Sequence, residues 1–352
     1  MKHENQKNRG QIRGYLFERI ICLLLEQNNF ILVKPDRYNK SRVRRTRENF
    51  TELKGRGGWH QIDCPFDYER TVPFLYPIRL VGEVKYHQAA VAKDAIRNFI
   101  GVLRDIQEYY FIDDSLTEEM VRERRIEIGA FFSANGFQDE AERLAYSHGI
   151  RTISYKNNPI VQEIRDYLDE LETWYLTYDL FSRGSRGVFL QDFERMIRRE
   201  VSPEELIDFY GIEEGAVRLL AGLADTVGGI QSSFIAATGA GSVFHFLGKQ
   251  AFPERLFGQT DRAVGHVYYE HLDLDNQTVS YLQLEGDDMG SRFYFTLPEG
   301  LSERAVYGSS GSDDQRQEDG RNRVLYVTMP LQGIQRSLVI TLDTDRVEEM
   351  TR

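Results

Sequence analysis

The sequence predicts an α/β domain over residues 1–156, a helical connector over 157–226 and a β-rich accessory or partner-binding domain over 227–352. Three observations lead there. Helix and strand periodicities alternate up to Tyr155, the charge balance changes sign at the same place, and period-two alternation dominates after Gly229. Residues 1–155 carry 25 Lys+Arg against 22 Asp+Glu, whereas residues 156–352 carry 19 against 33. A chain of 352 residues is also long enough for two cores, since one core rarely grows past roughly 250–300 residues.

The first helix should run from about Arg9 to Asn28, because Tyr15 to Leu25 is apolar on nearly every face except at Glu18 and Arg19. A helix of that kind is buried. Phe30 to Val33 reads as a short strand. Lys34 to Arg47 follows with seven basic residues and one acid, and reads as a loop or flexible arm. Gly58 to Phe66 and Pro77 to Tyr86 then read as two strands around a proline-containing connection, most simply an antiparallel hairpin. Ala92, Ile96, Phe99, Leu103, Ile106 and Tyr110 alternate spacings of four and three, which builds the apolar stripe of a second helix. Ile126–Phe132 reads as a buried strand, Gln138–His148 as a helix closed by Gly149, and Ile150–Tyr155 as a final strand.

Pro159–Leu180 and Leu190–Asp225 are helical in pattern, with Ser202-Pro-Glu-Glu as a helix start and a Ser-Arg-Gly run at 182–187 as a linker between separable halves. Ala263–Tyr269, Val279–Leu284 and Arg292–Leu297 alternate as strands, and Gly308–Asn322 is poor in apolar residues and reads as a mobile loop. Thr226–Gly248 has the length of a membrane span, but Gln231, His245 and its glycines make it a better pair of buried strands. No internal repeat is present.

With 41% hydrophobic and 28% charged residues, the composition is that of a soluble globular protein and excludes a disordered or fibrous chain. The two cysteines, Cys22 and Cys64, are too few for a disulfide framework or a structural zinc site, which points to a reducing, cytoplasmic setting. Met1–Arg13 is polar and basic and lacks a secretory core, so no export is expected. The net charge of −11 argues against nucleic acid only if spread evenly. Any nucleic-acid role belongs to the more basic N-terminal part.

Glu83 and Lys85 lie two apart in a strand, so both point to one face while Val84 points to the other. Hairpin pairing would bring Asp63 beside Glu83, and two neighbouring carboxylates repel unless a cation sits between them. Hydrolysing a phosphodiester needs such a cation, and hard Mg²⁺ selects oxygen ligands. The run Ile62-Asp63, nineteen residues, then Glu83-Val84-Lys85 resembles the D…(D/E)-X-K signature of restriction-endonuclease-like PD-(D/E)XK nucleases. Ile62 replaces the proline that often precedes the aspartate. The α-β-β-β-α-β order resembles the same superfamily, and Phe131 to Tyr155 is similar to its Mrr-like branch. The likeness covers about residues 9–156.

That resemblance implies a restriction-endonuclease-like αβββαβ core and DNA cleavage with Mg²⁺, or Mn²⁺ in its place, in restriction or anti-phage defence. Asp63, Glu83 and the Val84 carbonyl would bind the metal, Lys85 would act on the water, and Glu18 would complete the site. The apolar face of its own helix gives Glu18 independent support, although an ordinary charge satisfied by Arg19 is an equal reading. Gln61 and Gln88 are accessory candidates. His60 and His87 lack the spacing of a metal or general-base histidine. Arg42, Arg44, Arg45 and Arg47, continued by Lys54 and Arg56, could hold backbone phosphates, as could Lys93, Arg97 and Arg104 on the second helix, although charge runs are most often solvated. Gly239-Ala-Gly241 and Glu285-Gly-Asp-Asp288 lack the context of a phosphate loop or a calcium site.

Two rivals stand beside this reading. One is an interaction module that works only with a partner such as a DNA-translocating ATPase or another defence-system subunit. The other is a nuclease of repair or RNA. A homo-oligomer and no membrane partner are expected, and the interaction module further predicts oligomers or a complex without cleavage by the isolated chain.

Overall fold

The computed structural model describes residues 2–47, 49–68, 74–111, 124–178, 186–210, 214–239, 241–272, 277–297, 323–331 and 333–343. It is a mixed α/β structure that ends in a β-barrel. The expected loop at Gly308–Asn322, and the Ser-Arg-Gly run up to residue 185, lie outside the described residues.

Helix α1 (Lys2–Glu26) buries Leu16, Phe17, Ile20, Ile21, Leu24 and Leu25, a broad apolar face that only a covered helix can carry. Asn29 turns the chain at φ 61°, a conformation asparagine tolerates, into β1 (Phe30–Leu32). The central sheet has the order β1-β5-β6-β7-β8, with β5 (Cys64–Tyr68), β6 (Ile78–Lys85), β7 (Ile126–Ser133) and β8 (Arg151–Ser154). Strands β1, β5 and β6 are antiparallel, whereas β6, β7 and β8 run parallel and are joined through α2 (Lys93–Gln107) and α3 (Asp139–Ser147). Period two decides the two faces. Val81 and Phe131 pack with Ile96, Phe99 and Leu103 of α2, while Leu80, Val84 and Phe132 pack with α1. Gly82 pairs with Cys64, where an added Cβ would meet the Cys64 Cβ at 2.7 Å. Only glycine lets the strand that carries Glu83 close so tightly on β5.

Two expectations need correction. The basic arm is not simply a loop: β2 (Val43–Arg45), β3 (Thr51–Lys54) and β4 (Trp59–Gln61) form a separate three-stranded sheet inserted between β1 and β5. The expected strand from Gly58 to Phe66 is broken, because β4 belongs to this small sheet and β5 to the central one. Ile62 is buried at the break, its amide bonded to the Thr51 carbonyl at 3.0 Å. Asp63 occupies the crossing point.

The connector comprises α4 (Pro159–Tyr178), α5 (Arg186–Ile197), α6 (Pro203–Tyr210) and α7 (Glu214–Gly228). Asn158 caps α4 by accepting from Ile160 and Val161, and Ser202 accepts from Glu205 at the expected start of α6. The barrel closes in the order β10-β13-β12-β11-β15-β14-β9, from β9 (Ser232–Thr238), β10 (Val243–Gly248), β11 (Arg262–Leu272), β12 (Gln277–Leu284), β13 (Phe293–Phe295), β14 (Val324–Leu331) and β15 (Ile334–Asp343). Its interior is filled by Phe234, Phe246, Phe293, Phe295, Leu338 and Ile340 and is a packed core, not a channel. Among the described residues no helix is long and apolar enough to cross a membrane.

One apolar core runs from α1 through the connector to Leu247 of the barrel. A buried polar cluster pins the same seam. The Ser233 hydroxyl donates to the Leu24 carbonyl, His245 Nε2 lies 2.8 Å from that hydroxyl, and the Tyr155 hydroxyl lies 2.7 Å from His245 Nδ1. Neutral His245 satisfies both neighbours, donating through Nε2 and accepting at Nδ1. Burial pushes its pKa down to about 3. An unfolded histidine titrates near 6.5, so the stability His245 contributes is whole above that pH and is lost as the pH falls towards 3. Between pH 6.5 and 5 the loss should reach about 2 kcal/mol. Urea unfolding of the protein and of His245→Gln should therefore converge over this window; a constant gap between them would show that His245 is not held neutral.

Candidate active site

Asp63 is placed by the break between β4 and β5. Its Oδ2 accepts the Val84 N–H at 3.0 Å, which fixes the carboxylate against the edge of β6. A residue in a strand points its N–H and C=O to the same edge, so the Val84 carbonyl faces that side too. Glu83 and Lys85 share a face, as the strand period requires, and form an ion pair. The Lys85 ammonium also lies 3.9 Å from Asp63 Oδ2. Asp63, Glu83 and Lys85 are therefore brought together from two strands, with 9%, 23% and 29% of their side-chain surfaces exposed.

Glu18 approaches from α1. One turn further on, the Cys22 thiol lies 3.5 Å from the Asp63 carbonyl oxygen and 3.0 Å from the Cys64 sulfur, which seats α1 against the crossing point. Both cysteines are free and buried. Burial holds the Glu18 pKa well above the ordinary carboxylate value, and the Asp63 charge adds to this while Arg19 and Lys85 oppose it. The Asp63 pKa is pushed up to about 7, first by burial and then by Glu83, against the pull of Lys85 and the Val84 N–H. Burial works against the charge on Lys85, but Glu83, Asp63 and Glu18 outweigh it and raise its pKa. The site thus gathers acids around one ammonium.

Asp63, Glu83, Glu18 and the Val84 carbonyl could offer a cation only oxygen donors, the kind that hard Mg²⁺ or Mn²⁺ takes and a soft metal does not. Among the described residues no group of three or more His, Cys, Asp or Glu side chains already stands as a metal cage. The positive charge between Glu83 and Asp63 is supplied here by Lys85.

The other candidates divide. Arg42 is not a surface residue: it is 1% exposed and bound to Glu127 at 3.0 Å, so it holds the fold and cannot meet phosphate. Arg44 stays exposed, paired with Glu52 and 4.3 Å from the Trp59 ring. Arg45 bonds Asn49, Arg47 is exposed, and Lys54 lies 5.4 Å from the Trp59 ring. Arg56 pairs with Glu108, Lys93 with Glu140 and Arg97 with Asp94, each at the surface. Arg104 bonds Gln107. Gln61 and Gln88 are exposed, and the Gln88 carbonyl accepts from Asn135. His60 binds Asp105 at 2.6 Å, with the Gly57 amide on the same carboxylate, so it fastens a loop. His87 is exposed, with a pKa lowered by partial burial and by Lys85.

Sequence reasoning missed Arg195 and Arg198. They lie on and just after α5, three apart and hence on one helix face, and they line a cleft of about 1020 Å³ opposite the inserted sheet. The spacing was visible; what α5 would face was not.

No family model matches the chain, and no curated protein sequence does. Among solved structures, the crystal structure of the protein of unknown function AF1548 aligns with a TM-score of 0.35 and 18% identity, over 61% of this chain and 98% of that one. A likeness at that level carries no argument about function.

Proposed function

We propose that the chain is a Mg²⁺-dependent endonuclease that hydrolyses phosphodiester bonds in DNA, acting in the cytoplasm in restriction or anti-phage defence. The observation that supports this reading is the meeting of Asp63, Glu83 and Lys85, distant in sequence, at one partly open point beside Glu18. The PD-(D/E)XK pattern of the same residues supplies the reaction class and the biological setting.

In this reading Asp63, Glu83, the Val84 carbonyl and Glu18 would hold the cation, with Mn²⁺ able to replace Mg²⁺. When bound, the cation withdraws charge from the phosphate and makes water more acidic. The chain's own residues set the geometry. The Val84 N–H keeps Asp63 oriented, the two-residue spacing keeps Glu83 and Lys85 on one face, and the ammonium of Lys85 favours the negative charge that develops at phosphorus. The packing of Cys22 against the Asp63 carbonyl supports the reading that Glu18, one turn earlier on α1, completes the set.

The test is incubation of the protein with plasmid, linear and single-stranded DNA in Mg²⁺, Mn²⁺ or EDTA. Cleavage that depends on the divalent metal and stops in EDTA is the expected result. No hydrolysis of any of the three DNAs in either metal would overturn the assignment.

A further inference from the structure

The cleft beside the candidate active site has two walls of different origin. The inserted segment supplies Lys34, Lys40, Arg44 and Arg45, and the connector supplies Arg195 and Arg198. Arg19 of α1 lines it as well and follows Glu18 directly in the helix, while Glu18, Asp63, Glu83 and Lys85 themselves lie outside the lining. Three acids also line it, Glu26, Glu194 and Glu200, and they hold Arg198, Arg19 and Arg195 in place. Seven cations and three acids line the cleft, and Glu52 and Asp192 just outside it pair with Arg44 and Arg195, so the positive excess is modest. Burial first and the Arg19 charge second push the Arg45 pKa below the ordinary arginine value, with Glu194 opposing them.

The chemistry of the lining narrows which anion. At about 1020 Å³ the cleft lies at the upper end of the range for small-molecule sites, and it is larger than one phosphate needs. Its lining contains no Phe, Tyr or Trp, and the nearby Trp59 ring is covered by the Arg44 guanidinium at 4.3 Å. Its apolar members are Leu32, Pro35 and Val43, and its polar ones beyond the charges are Asn49 and Gln191. Fixed cations without aromatic rings suit a chain of phosphates whose bases point away.

We propose that this cleft holds the sugar-phosphate backbone of one nucleic-acid strand next to the cleavage point, with Arg195 and Arg198 of the connector as its far wall, and that it does so without reading bases. The substrate class rests on the nuclease reading above. The connector is therefore part of the substrate site, and the α/β domain alone lacks one wall of the cleft.

The experiment is fluorescence anisotropy of a labelled single-stranded oligonucleotide, in EDTA so that nothing is cut, across about 50–200 mM salt. Arg195→Ala/Arg198→Ala in the full chain should bind about 20-fold more weakly at 0.1 M salt, and its slope of log affinity against log salt should flatten by about 1.4, or 0.7 for each phosphate that is no longer neutralised. Arg218→Ala, an exposed arginine on α7, removes a cation elsewhere and should leave both quantities unchanged. An abasic strand of equal length should bind the parent protein as tightly as a base-bearing one. Parental affinity and slope in the double variant, with its thermal melting unchanged, would overturn the proposal, as would loss of binding by the abasic strand. Cleavage is scored separately against Lys85→Ala. A chain that cuts DNA but binds with the parental slope after loss of both arginines keeps the nuclease reading and loses the cleft. A chain that never cuts but shows the predicted slopes keeps the cleft and loses the nuclease.

Discussion

Lys85→Ala should lower the rate of DNA cleavage by about 10²–10³-fold while the protein stays folded, the cost of removing one fixed charge aimed at a developing negative charge. Asp63→Asn and Glu83→Gln should abolish cleavage for a different reason. Each would remove an anionic donor from the set proposed to bind Mg²⁺ as a group. The three variants separate in stability. An amide at position 63 still offers an oxygen to the Val84 N–H and no longer repels Glu83, so Asp63→Asn should melt at or above the parent temperature. Lys85→Ala leaves Asp63 and Glu83 without the ammonium that lies between them, so it should melt at or below it. Calorimetric titration with Mg²⁺ divides the roles further. Metal binding should survive in Lys85→Ala and fail in Glu83→Gln. Parental cleavage by Lys85→Ala or by Asp63→Asn, at equal thermal stability, would remove these residues from the reaction.

The legible and illegible parts of this molecule differ in physical kind. That Glu83 and Lys85 share a face follows from the strand period alone, and that Val84 turns inward follows with it. Burial of α1 was visible because its apolar residues cover more than one helical stripe. The inserted sheet was hidden because its strands span three or four residues, too short for alternation to show. Asp63 was expected at the end of a strand paired with β6. It lies instead between two sheets, a consequence of where Ile62 is buried, which no local pattern records. Strand character in the C-terminal half was readable, but closure was not. The barrel is sealed by β11 and β15, parallel and far apart in the chain, and long-range pairing leaves no local trace. The same limit hid the second wall of the cleft, since Arg195 and Arg198 look like any solvated helix pair until α5 is docked on α1.

Arg42 shows how a charge run misleads, and it yields the second large effect. Among seven basic residues it alone is sealed inside, where its guanidinium meets the Glu127 carboxylate at 3.0 Å, the Ile106 carbonyl at 3.4 Å and the Tyr109 ring at 4.6 Å. Burial lowers the Arg42 pKa against the pull of Glu127, and burial raises that of Glu127 against the pull of Arg42. Glu127 therefore relies on Arg42, and secondarily on Arg79, to remain charged, while the always-charged guanidinium needs the carboxylate as its buried partner. Arg42→Ala should destabilise the protein by about 3–5 kcal/mol, because it strands a buried carboxylate. Arg42→Met combined with Glu127→Leu removes both charges and keeps the volume filled, so it should recover most of that loss. Urea denaturation of the two single variants and the double variant forms the cycle that measures this, with the salt dependence of DNA binding read alongside. If Arg42 only served the fold, the double variant would bind DNA with the parental slope. A double variant as stable as the parent but with a flatter slope would return Arg42 to the phosphate-binding set, and an Arg42→Ala variant as stable as the parent would show that the buried pair does not hold β2 against the central sheet.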